Sequence, residues 1–96
     1  MTDDEVVVDD VAAHASEQGR ITVSSEATGV LEVIVPAGVG VPGAEEAEFA
    51  AALVSVLLRH GAALPAVLDV SAAIATDPGL LPAVTERLEQ RWEQEG

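Results

Sequence analysis

The sequence predicts an α+β fold: a small single domain, residues 1–96, with an antiparallel β-hairpin and a short third strand packed on a layer of two to four helices. Three observations predict it. Over residues 43–61 apolar side chains recur every three or four positions, the period of a helix. Over residues 20–35 they alternate around S-S-E-A-T-G, the period of a strand broken by a turn. The chain has 96 residues, 49% of them hydrophobic, which suits one core rather than two.

In chain order, residues 1–5 are polar, terminal and expected to fray. Residues 6–8, V-V-V, are β-branched and read as the short extra strand. Asp9 and Asp10 offer N-caps to V-A-A-H-A-S-E-Q, and Gly19 follows as a C-terminal stop, so a short helix is expected over 10–18. Ile21 and Val23 alternate with Arg20, Thr22 and Ser24. Residues 25–29 turn, and V-L-E-V-I-V returns as a second strand. The short connection favours antiparallel pairing over 20–35. That second strand is apolar on both faces except at Glu32, which predicts that it is the better buried of the two.

Pro36 ends the hairpin, and the glycine-rich A-G-V-G-V-P-G leads to a helix over 44–60. Phe49, Leu53, Val56, Leu57 and His60 share one of its faces, and Ala50, Val54 and Leu58 widen it. Glu45, Glu46 and Glu48 lie where the helix dipole favours negative charge, Arg59 and His60 where it favours positive charge, and Gly61 supplies a left-handed stop. Residues 65–76 read as a helix with Pro65 at its first position, and a buried strand over 66–71 is the alternative. Asp77-Pro78-Gly79 marks a turn. A last helix from near Pro82 places Leu80, Leu81, Val84, Leu88 and Trp92 on one side and Glu86, Arg87, Glu89, Arg91 and Glu93 on the other.

Seventeen acidic residues against four basic ones, all arginine, give a net charge of −13. Binding to nucleic acid or an anionic membrane rests on basic residues, so neither is an expected partner. The surplus has two explanations: general solubility, or recognition of a basic partner, including mimicry of nucleic acid. There is no cysteine, which removes disulfides, thiolate metal sites and thiol nucleophiles. The acidic M-T-D-D-E start is unlike a secretory signal, and no apolar run reaches the roughly 20 residues that span a bilayer. A cytoplasmic location is therefore expected.

Gly38-Val39-Gly40-Val41-Pro42-Gly43 is a literal G-x-G-x-x-G between a predicted strand and helix, the form of a dinucleotide-binding turn. Against a phosphate there, Pro42 has no N–H to donate and Glu45, Glu46 and Glu48 would repel the anion. A turn that lets strand and helix pack closely is the simpler reading. His14 and His60, the two histidines, lack the paired spacing of a metal site. The serines lack a nucleophile-elbow context. No catalytic, cofactor-binding or metal-binding residue is assigned.

The order from Gly29 to Gln90, a strand, a glycine-containing loop, a helix and then A-V-L-D-V-S-A-A-I-A-T-D-P-G-L-L, resembles the anti-sigma-factor antagonist (STAS) family. In that family a strand ends in an Asp, and a second Asp eight residues later introduces a phosphorylatable Ser or Thr and a helix. Asp69 and Asp77 match the two acids, while Pro78 stands where the small or hydroxyl residues follow. The resemblance implies a module that switches protein partners.

The expected function is a non-enzymatic interaction or regulatory subunit that binds a protein, basic partners being favoured by charge, with homo-oligomers an open alternative. An acidic inhibitor that mimics nucleic acid, a STAS-like partner switch and a nucleotide-binding fragment are the rivals. Trp92, with Leu88, Glu89 and Glu93 beside it and Glu45 and Glu46 on the central helix, forms the candidate partner-binding set. A lone tryptophan on a charged helix either lids the core or anchors in a partner's pocket.

Overall fold

The structure, a computed structural model, describes residues 5–15, 20–36 and 45–95, Glu95 by its backbone alone. It is α+β. The strands are β1 (Glu5–Val8), β2 (Val11–Ala15), β3 (Ile21–Ser25), β4 (Gly29–Ile34) and β5 (Val67–Asp69), and the helices are α1 (Glu46–Arg59), α2 (Val70–Thr76) and α3 (Leu80–Glu95). The strands form one sheet in the order β1-β2-β3-β4-β5. The first four pair antiparallel and β5 pairs parallel to β4. A parallel neighbour needs a crossover connection, and α1 is that crossover.

The expected hairpin is present as β3 and β4, closed by residues 26–28. Gly29 takes a φ of 71°, and the Thr28 amide donates to Ser25 Oγ at 3.1 Å. The short strand over 6–8 is β1. The expected helix over 10–18 is overturned, because residues 11–15 form β2, between β1 and β3. Alanine favours a helix, but so short a helix is marginal alone, and a strand paired on both sides satisfies every backbone group. Val11 and Ala13 face the core at the strand's two-residue period. Asp9 and Asp10 form the β1–β2 turn instead of an N-cap, with Asp9 at a φ of 56°.

Residues 65–76 contain both elements considered for them. Residues 67–69 form β5, then Asp69 caps α2 by accepting from the Ser71 amide at 3.0 Å and from the Ala72 amide at 3.4 Å. A helix running from Pro65 is overturned because Leu68 is needed in the sheet beside Val33. α3 begins at Leu80, not near Pro82. Pro82 fits its first turn, where amides need no helical partner.

Three layers result: the sheet, α1 on one face of it, and α3 across α1. Sandwiched this way, α1 buries Ala47 and every residue from 49 to 56, so its apolar surface extends beyond one stripe. Its end follows the expected pattern: Gly61 has a φ of 73°, its amide reaches the Leu58 carbonyl at 3.0 Å, and the Ala62 amide reaches the Leu57 carbonyl at 3.0 Å. That pair of bonds is a Schellman stop. His60, placed on the apolar face by periodicity, lies past the last helical turn and is exposed.

Candidate interaction surfaces

The core sits on one side of the sheet only. Val8, Val11, Ala13, Ile21, Val23, Leu31, Val33 and Leu68 lie on the core face of the sheet, the side on which α1 packs, and are buried. Residues between them point away, and among the described residues no element packs on that second face. The ladders align Glu5, His14, Thr22, Glu32 and Val67 in one row across it and Val7, Ala12, Ser24 and Val30 in another, with Ile34 beside Asp69. Val7 is 51%, Val30 72%, Ile34 48% and Val67 50% exposed, and these are the large apolar side chains most open to water among the described residues. All four lie on this one face. The expectation that β4 is the better buried of the two hairpin strands is therefore overturned. No residue of β3 is exposed, whereas Gly29, Val30 and Ile34 of β4 are, because the apolar residues on its second side meet no covering element among the described residues. Arg20 stands 3.6 Å from Glu32 at its margin.

Trp92 is half-buried against the core, with Leu88 and Val84 fully buried behind it. Its indole N–H donates to the Glu48 carboxylate at 3.1 Å, and Arg91 pairs with the same carboxylate. The polar handle of the tryptophan is thus used to tie α3 to the first turn of α1. Of the candidate partner-binding set, Leu88 is 0% exposed and so presents no side chain to a partner. Glu89, Glu93, Glu45 and Glu46 are exposed. The Gly38-to-Gly43 motif lies outside the described residues.

A second clasp, not visible in the sequence, fixes the β1–β2 turn. Ser55 is the one buried polar side chain among the described residues. Its hydroxyl donates to Asp9 Oδ2 at 2.5 Å. Arg87 of α3 pairs with Asp9 Oδ1. One carboxylate therefore joins β1–β2, α1 and α3. The reach in sequence is 46 and 78 residues, which no local motif can signal.

Asp69 and Asp77, the acids of the STAS resemblance, bracket α2. Asp77 Oδ1 accepts from the Gly79 amide at 3.1 Å. Both line a cavity of about 420 Å³ with Leu57, Leu64, Leu68 and Leu80. Asp69→Ala removes the N-cap of a seven-residue helix. It is expected to cost about 1 kcal/mol, read as a lower urea midpoint at unchanged m-value, with faster amide exchange at Ser71 and Ala72.

Among the described residues no group of three or more His, Asp or Glu side chains is placed to hold a metal, and no helix is long and apolar enough to cross a membrane. No family model, curated protein or solved structure matches the chain.

Proposed function

We propose that this protein is a small, acidic, non-enzymatic interaction or regulatory subunit that binds a protein partner through the uncovered face of its sheet. One observation carries the reading: the four large aliphatic side chains most exposed among the described residues all lie on that face. Scattered singly, exposed valines need no explanation, but gathered on one face they suit a protein interface. Glu5, Glu32 and Asp69 on the same face, in a chain of net charge −13, favour a partner whose apolar surface is rimmed by Lys and Arg. A second copy would bring two such charges together and is the less favoured occupant.

The test is a photo-crosslinking residue at Ser24, in the middle of the face, in the full chain exposed to an extract of its native cell. One crosslinked protein is expected, and the yield is expected to fall at least tenfold when Val30→Lys and Ile34→Lys are combined. Both sites are exposed, so stability should change by about 0.5 kcal/mol or less at each. Crosslinking that survives the double substitution, or crosslinking to a second copy alone, would count against the proposal.

A second reading rests on β5. It ends at Asp69 and lies parallel to β4 across α1, the order that the STAS resemblance implies. In that reading the partner binds at the Asp69–Asp77 cleft, and Asp77→Lys abolishes capture while the Val30 and Ile34 substitutions leave it intact.

A further inference from the structure

We propose that the outer edge of β1 receives an extended segment of another protein, β-branched in its middle and basic at both ends, which adds a strand to the sheet. This surface is the sheet's β1 edge, which adjoins the uncovered face and shares Glu5 and Val7 with it. β1 is the terminal strand and pairs only with β2 among the described residues. Antiparallel alternation leaves the N–H and C=O of every second residue directed off such an edge, ready to pair.

Protected edges are very short or carry a charged side chain, proline, a bulge or a covering element, and β1, four residues long, has one charge, Glu5, followed by three valines. β1 reads E-V-V-V and matches β2 residue for residue from Glu5 with His14 to Val8 with Val11, without a bulge. α3 stands away from the edge. Between them lies a cavity of about 370 Å³, with Val7 and Val8 on the strand side and Arg87, Gln90, Arg91 and Gln94 on the helix side. A groove between an edge strand and a helix is a recurring setting for strand addition, and a new strand needs only about 4.8 Å beside the old one.

Charge chooses the occupant. Glu5 and Asp10 are exposed at the two ends of the edge, while Asp9 is occupied by Ser55 and Arg87. An added strand therefore meets an acid at each end and needs Lys or Arg there. A second copy of β1 brings valines and another Glu5 but no Lys or Arg for Glu5 and Asp10, so it is the poorer occupant. Toward α3, Arg87 and Arg91 are already paired with Asp9 and Glu48, and the amides of Gln90 and Gln94 between them suit hydroxyl or amide side chains.

The probe is a blocked peptide, Lys-Thr-Val-Thr-Val-Lys, titrated into the ¹⁵N-labelled full chain beside a counterpart with Glu at both ends. Amide shifts and slowed exchange are expected at residues 5–8, with Ile34 and Val67 unmoved, and the Lys-ended peptide should bind at least tenfold more tightly. Val7→Pro should abolish binding. Because that substitution can also disturb the fold, the combination of Glu5→Lys and Asp10→Lys is the second arm, and it should reverse the preference toward the Glu-ended peptide. Absence of binding by the Lys-ended peptide, shifts centred on Ile34 and Val67, or a preference that survives the charge reversal would overturn the proposal. None of these outcomes bears on the Ser24 crosslink.

Discussion

Phe49→Ala is expected to lower stability by about 3–5 kcal/mol, the range for deleting a fully buried aromatic side chain. Phe49 is 1% exposed and is the largest fully buried side chain among the described residues. It lies on α1, the helix that packs most extensively against both the sheet and α3. Its companions in the core are Val, Leu, Ile and Ala, and β-branched side chains are stiff at χ1, so they relax poorly into the space left behind. Domains of this size are stable by about 5–15 kcal/mol in all, so one substitution consumes a large share. The melting temperature should fall by roughly 12 °C or more. Phe49→Leu keeps most of the volume and should cost less than half as much. Urea denaturation of both variants checks the pair. Equal losses would show that Phe49 does not fill a closed site.

The parts of this fold that can be read from the sequence are those in which several local signals agree. For α1, the period, the acids at its start, Arg59 near its end and Gly61 all point to one helix. For β3 and β4, alternation and turn chemistry do the same. Residues 11–15 failed that test because alanine favours a helix, and what makes them a strand is a partner on each side. V-V-V-D-D-V, valines on both sides of a two-residue turn, carries a hairpin signal, but two aspartates before an alanine-rich stretch read equally as helix caps. Residues 67–69 are too short for periodicity to decide, and their place depends on pairing with residues 32–34 across the whole of α1. The uncovered face was half legible. Val30 and Ile34 alternate with Leu31 and Val33, and a strand apolar on both sides except at Glu32 reads as the better buried of the hairpin, though it can equally have one side bare. The two carboxylate clasps were not legible at all. Glu48 was placed correctly by the helix dipole, but its bonds to Arg91 and Trp92 span 43 and 44 residues.

Asp9→Ala is expected to cost about 2–4 kcal/mol, the second large effect, and the cost divides into parts that substitutions can separate. Ser55 loses the acceptor of a buried hydroxyl, worth about 1–3 kcal/mol. Arg87 loses its counter-charge, a smaller term because Asp9 is 39% exposed at its side chain and water screens the pair. Alanine must also adopt the φ of 56° that Asp9 holds, a left-handed conformation that costs a residue with a Cβ about 1 kcal/mol. Asp9→Gly removes that last part alone and should be the milder change by about the same amount. Asp9→Asn tolerates the left-handed turn and can still accept from Ser55, so it should be the mildest. The expected order of stability is Asp, Asn, Gly, Ala. A double-mutant cycle of Asp9→Asn or Asp9→Ala with Ser55→Ala then isolates the hydroxyl bond: the coupling should be near zero for Asn and above about 1 kcal/mol for Ala. If Asp9→Gly is instead as stable as the natural chain, the carboxylate contributes nothing beyond filling a turn that glycine fills better. The three-way contact of Asp9, Ser55 and Arg87 would then have no part in holding the β1–β2 hairpin against α1 and α3.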